Sequence, residues 1–295
     1  MRTDLENLWD DIIIFRYSLP NPNIGIDKSL ISKQQDYCFA CSKEEKLGTL
    51  IYKGLLDYCF DEDDIKNCDD PQKLLQRIHL RIRLVLDSPN KKRLISQGFY
   101  GEVLLYCMLE KIFQKSRLIC RGHLFNPLNQ SETTGYDAFH FIETERGIEL
   151  WFGEVKFYEK YDGALREVLS KISDKLSDEY LKLNLEALVE QYHQYLASSK
   201  TKDILQEWKS NGYEVQLQKL IEKYNIRLVY PVFIICENKT DYNTMIRKCI
   251  DLINNNVKSK KIIVPASREV FFILLPISSA KQIKLDTLKC IRQNT

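Results

Sequence analysis

The amino-acid sequence predicts an α/β protein: a mixed central sheet flanked by helices. Three observations carry that expectation. From residue 96 the elements follow as helix, short strand, strand hairpin, long helices, strand, helix and strand. The second hairpin strand, Ile148 to Tyr158, is largely apolar on both faces from Leu150 onward, the pattern of a strand covered on both sides. The later strands are joined through long helices, and such connections imply a mixed sheet covered on both faces.

Residues 1–55 read as short elements around Pro20 and Pro22, with a β-leaning run at Ile12-Ile13-Ile14-Phe15. Leu47, Leu50, Ile51, Leu55 and Tyr58 recur at helical spacing. Asp70-Pro71 is suited to cap and open a helix through Leu74, Leu75, Ile78, Ile82 and Leu86. Ser88-Pro89-Asn90 ends it and marks the expected boundary between an N-terminal lobe, 1–90, facing a partner, and a core domain, 91–295. Ser96 to Phe113 predicts a mostly buried helix with Glu102 in its first turn, where the helix dipole favours an acid. Tyr136 to Ile142 and Ile148 to Tyr158 form the hairpin, with Arg146-Gly147 in the turn. Leu165, Val168, Leu169, Ile172 and Leu176 stripe a helix over 164–180, and further helices follow to residue 224. Strands are expected at 227–236, 262–264 and 270–275, with helices over 245–254 and 281–291.

Composition excludes several classes. At 295 residues, with 44% hydrophobic and 28% charged content, the chain has an ordinary globular balance and room for a large domain. No apolar run approaches the roughly 18 residues that span a bilayer, and the opening Met1-Arg2-Thr3-Asp4 reads as no signal peptide. Nine irregularly spaced cysteines point to reduced thiols in the cytoplasm. Cys38-x-x-Cys41 has no second pair to complete a zinc site, so buried thiols are expected. The four histidines, His79, His123, His140 and His193, form no ligand cluster, and His140 is read as core.

The net charge of +2 hides an asymmetry. Residues 57–70 hold seven acids (Asp57, Asp61, Glu62, Asp63, Asp64, Asp69, Asp70) against Lys66. That run reads as a solvated loop, or alternatively as a partner contact or a mimic of nucleic-acid charge. Residues 241–295 hold ten Lys or Arg against four acids, a balance that suits nucleic acid on one surface. Lys258, Lys260, Lys261 and Arg268 are candidates for DNA-backbone contacts, with a solvated loop as the alternative.

Chemistry concentrates on the hairpin. Side chains alternate along a strand, so Glu154 and Lys156 share a face, and an acid and a base at the end of such a strand need compensation. Two readings stand. In one, the two residues pair with each other or sit at a wet strand end. In the other, Asp137 and Glu154 approach across the hairpin and hold Mg²⁺ or Mn²⁺, hard cations suited by oxygen ligands, while Lys156 points at the attacking water or the phosphate.

The Asp137…Glu154-x-Lys156 pattern resembles that of the PD-(D/E)xK nucleases, with Tyr136 standing where a proline usually precedes the Asp. The order of elements resembles their restriction-endonuclease-like core. That resemblance implies metal-assisted phosphodiester hydrolysis, and it adds Glu102 as a helix acid linked to the metal. Gly98-Phe99-Tyr100-Gly101-Glu102, Gly135-Tyr136-Asp137-Ala138-Phe139-His140-Phe141 and Leu150-Trp151-Phe152-Gly153-Glu154-Val155-Lys156-Phe157-Tyr158 further resemble the HamA family of the two-gene Hachiman anti-phage defence system. This likeness implies a DNA nuclease restrained by a partner helicase, HamB, and the absence of a base-reading motif suggests low sequence specificity. Two other readings stay open: a nuclease-like subunit that binds helicase or DNA without cutting, and a ribonuclease.

Overall fold

The computed structural model describes residues 1–27, 31, 35–60, 65–68, 73–74, 76–78, 95–113, 125–126, 131–132, 136–144, 147–183, 203–204, 206–207, 210, 217–260, 262 and 268–293. Six strands form one mixed sheet: β1 (Ile13–Leu19), β2 (Asp36–Cys41), β3 (Ala138–Thr144), β4 (Gly147–Tyr158), β5 (Ile226–Glu237) and β6 (Arg268–Ile277). Across the sheet they run β1-β2-β6-β5-β4-β3. The inner pairs β2/β6, β6/β5 and β5/β4 are parallel, and the hairpins β1/β2 and β3/β4 close the two edges antiparallel. β5 and β6 are buried along nearly their whole length, as their unbroken apolar sequences require.

Helices cover both faces. α1 (Thr3–Ile12), α2 (Leu47–Cys59), α3 (Phe99–Lys111) and α7 (Ala280–Gln293) pack on the face carrying Trp151, Val155, Phe157 and Phe233. The other face, carrying Ile148, Leu150, Phe152 and Tyr230, is covered by α4 (Tyr161–Lys175) and α6 (Tyr242–Lys260), with α5 (Leu217–Tyr224) alongside β5. The expected α/β architecture with a nuclease-like core is thus the observed one. No helix among the described residues is long and apolar enough to cross a membrane.

The N-terminal segment differs from a string of short elements. Residues 13–41 supply two strands of the same sheet, with Tyr37 and Cys38 paired to Ile273 and Leu274. The boundary expected at residues 88–90 lies outside the described residues, as do the short strand expected after the first core helix, at 118–120, and residues 263–264 of the strand expected at 262–264, whose first residue is not in a strand. Helix α4 begins at Tyr161, ahead of the start expected at residue 164, and α6 extends beyond both expected ends. Cys38 and Cys41 stand three positions apart on β2, hence on opposite faces, and burial pushes both thiols up, Cys41 to about 12. Neither is poised as a thiolate ligand.

Two glycines allow close approaches to the key strand. A Cβ on Gly153 would stand 2.9 Å from the Pro231 ring and 3.0 Å from its carbonyl. Pro231 has no N–H to offer, and the β4/β5 ladder pairs Trp151 with Val229, then resumes in the same register at Glu154 and Val232. On that same face a Cβ on Gly101 would meet the Val155 side chain at 3.0 Å, so α3 lies close against β4.

Candidate active site

The hairpin register sets the site. Ala138 pairs with Gly153, which brings Asp137 opposite Glu154 just before β3 begins, where β4 runs on paired with β5 only. The Asp137 N–H donates to the Gly153 carbonyl at 2.9 Å, and its Oδ2 accepts from the Val155 N–H at 2.8 Å. Tyr136, in the position of the usual proline, anchors the approach. Its ring is 1% exposed and packs on Phe152, Tyr180 and Tyr230 at 4.8, 5.1 and 6.0 Å.

Glu154 is buried, and both of its oxygens are engaged. Lys156 Nζ lies 2.8 Å from Oε1, the Tyr230 hydroxyl donates to Oε2 at 2.8 Å, and Lys175 Nζ approaches Oε2 at 4.0 Å. Lys156 also reaches Glu167 at 3.1 Å, and Glu167 binds Lys171 at 3.3 Å and the Tyr158 hydroxyl at 2.5 Å. Burial works to lower the Lys156 pKa, but the fields of Glu154, Glu167 and Asp137 outweigh it and raise it above the ordinary lysine value. Lys156 is therefore an ammonium throughout the neutral range, a donor and not a base. Burial likewise opposes ionisation of Glu167, yet bonds from Tyr158 and Lys156 overcome it and bring its pKa to about 2. Burial and the adjacent Glu154 push the Tyr230 phenol well up, so it stays a hydrogen-bond donor.

The profile of the HamA family matches residues 25–289. The chain belongs to the HamA family. That membership places it in the Hachiman anti-phage defence system. No curated protein matches the sequence.

In this HamA-family chain the structure brings Asp137, Glu154 and Lys156 together and sets Glu102 apart. Gly101 touches Val155 and Phe157 from the face opposite Glu154, and Glu102 follows it in a buried position where Tyr58 of α2 donates to Oε2. His140 is buried opposite Trp151 in the hairpin, as expected of a core residue. Arg268 departs from the expected role on DNA: it is 7% exposed and its guanidinium is paired with Asp178. Lys258 and Lys260 are exposed at the end of α6, and Lys261 lies outside the described residues. Of the acidic run, Asp57 is not part of a solvated loop but is buried against Arg2, whose Nε lies 2.8 Å from Oδ2.

The sequence reading missed Tyr230, Glu167, Lys171 and Lys175. The last three recur every fourth residue beside the buried stripe of α4, which marks a polar flank aimed at the sheet end. A tyrosine inside an all-apolar strand carries its own signal, because its hydroxyl needs a partner when buried.

Proposed function

We propose that the protein is a metal-dependent nuclease that hydrolyses DNA phosphodiester bonds with low sequence specificity, under the control of a partner helicase, HamB. The observation that carries this reading is the Asp137–Glu154 juxtaposition across the hairpin, with Lys156 held on Glu154. The donors fit Mg²⁺ or Mn²⁺ in kind: both are carboxylates, and magnesium takes one or two of these beside water and phosphate. Asp137 and Glu154 would hold the cation, and the chemistry it supplies when bound is charge neutralisation at the phosphate and acidification of water.

The remaining work falls to this chain's side chains. Asp137, fixed by the Val155 N–H, and Glu154, fixed by Tyr230, are oriented before anything binds, which limits reorganisation during reaction. Lys156 as an ammonium donates to the attacking water or to a phosphate oxygen. Glu167 keeps that ammonium in place from α4. Glu102 enters as a further acid beside the stretch of β4 that β3 leaves unpaired, and its bond with Tyr58 must be exchanged for it to ligate. The N-terminal residues are proposed as the helicase-facing part.

One observation favours a second reading, a nuclease-like subunit that binds without cutting. Both Glu154 oxygens are already engaged, and among the described residues no three His, Cys, Asp or Glu side chains form a metal-holding group. Cleavage of plasmid and linear DNA by wild type and Glu154→Gln, with magnesium, manganese or EDTA and with or without the helicase, separates the two. Metal-dependent cutting that disappears in Glu154→Gln is expected. No cutting by wild type under any of these conditions refutes the DNA nuclease reading, and RNA substrates then decide between a ribonuclease and a binding subunit.

A further inference from the structure

A second charged site lies around the carboxyl end of β4, in a crevice the proposed chemistry does not use. Phe157, Glu159, Lys160, Gly163, Lys281 and Lys284 line a cavity of about 320 Å³ between the end of β4, the start of α4 and the first turns of α7. The helices leave the sheet here on opposite faces, α4 to one and α7 to the other. Crevices outside the carboxyl ends of parallel strands, where connections diverge in this way, are where open α/β sheets bind ligands.

Lys284 is the unusual member. It is 8% exposed, its Nζ donates to the Phe157 carbonyl at 3.1 Å, and it lies over the rings of Phe157 and Tyr100 at 4.9 and 5.6 Å. No acid forms an ion pair with it among the described residues; Glu159 acts on it only at longer range. An ammonium has three donors, and a buried charge without a counter-ion is costly unless something supplies one. Lys281 and Lys160 add two exposed ammonium groups to the same cavity, so its net charge is positive despite Glu159. Desolvation depresses the Lys284 pKa to about 8, which leaves it mostly charged at neutral pH and makes an arriving anion reinforce that charge.

We propose that this crevice binds a phosphate group, held by Lys284 from within and by Lys281 and Lys160 at the rim. The volume is at the lower end for small-molecule sites and admits a phosphate with an attached sugar. The same chemistry is offered by a phosphate of a nucleic-acid strand and by a free nucleotide. The inference stands apart from the nuclease reading, because it concerns binding at residues outside the Asp137–Glu154 site.

The test is calorimetric titration of the full chain in EDTA with two probes, AMP and a twelve-nucleotide single-stranded oligodeoxynucleotide. The proteins are wild type, Lys284→Met, Lys281→Glu and Gly163→Asp. The last two change positions that are exposed, and a Cβ at Gly163 meets nothing within 4 Å, so neither threatens the fold. Wild type is expected to bind at least one probe, with affinity falling about tenfold in each rim variant, the scale of one charge-assisted phosphate contact. A loss confined to the oligonucleotide identifies a strand phosphate as the ligand, and a loss confined to AMP identifies a free nucleotide. If wild type binds neither, or if Lys281→Glu and Gly163→Asp bind both as wild type does, the proposal is overturned, whatever the behaviour of Lys284→Met.

Discussion

Replacing Lys284 by methionine should make stability depend less on pH, with a sign and size that follow from its burial. In the folded chain the ammonium is desolvated and its pKa is about 8, against the ordinary 10.5. A lysine depressed in the folded state binds fewer protons there than in the unfolded chain, so stability rises with pH between the two values. That depression corresponds to a penalty of about 3 kcal/mol, fully present below pH 8 and relieved progressively toward pH 10.5. Between pH 7 and pH 9 the relief amounts to about 1.4 kcal/mol. Methionine keeps the buried stem and carries no charge, so the variant lacks this penalty. Urea denaturation of both proteins at pH 7 and pH 9 gives the double difference directly, with the titration of all other groups cancelling. The expected result is that wild type gains about 1.4 kcal/mol on the variant over that interval. A difference of zero, or one of opposite sign, would refute the claim that Lys284 is buried without a compensating acid.

Three further outcomes follow from the geometry. Gly153→Ala should destabilise the fold by about 1–3 kcal/mol, because its methyl meets the Pro231 ring at 2.9 Å and carbonyl at 3.0 Å, and denaturation midpoints read this directly. Tyr230→Phe removes the donor that holds Glu154 Oε2 and should raise the magnesium concentration needed for half-maximal DNA cleavage by about tenfold or more, while circular dichroism stays unchanged. Arg268→Met should cost about 1 kcal/mol through loss of the Asp178 pair and leave affinity for duplex DNA at the wild-type value, since the guanidinium is not exposed to a backbone.

Much of the fold was legible because its signals are local. Alternation along 148–158, the apolar runs of β5 and β6 and the stripe of α4 each repeat within a few residues, and each element appears where its period puts it. The Ile12–Phe15 run could be read as β-leaning, but its partners could not, because β2 joins the sheet through Ile273 and Leu274, more than 230 residues away. Helix ends were harder: Tyr161, Asp162 and Gly163 belong to α4 although its apolar stripe begins only at Leu165, since a helix start needs only that its first N–H groups reach water or a cap.

The sequence by itself determined which atoms can do chemistry. It placed an aspartate at the end of one hairpin strand and a glutamate and lysine two apart on the next, and strand alternation then obliged the last two to share a face. Only the tertiary structure decided what surrounds them. Tyr230, from a strand 76 residues on, claims one oxygen of Glu154, and α4 swings Glu167 and Lys175 onto the same point. It also turned Arg268 from a DNA-facing cation into a buried partner of Asp178, and brought Lys284 beneath the end of β4. The physical reason is range: period and hydrogen-bond register act over a few residues, whereas desolvation and charge depend on every segment that packing brings within a few ångströms.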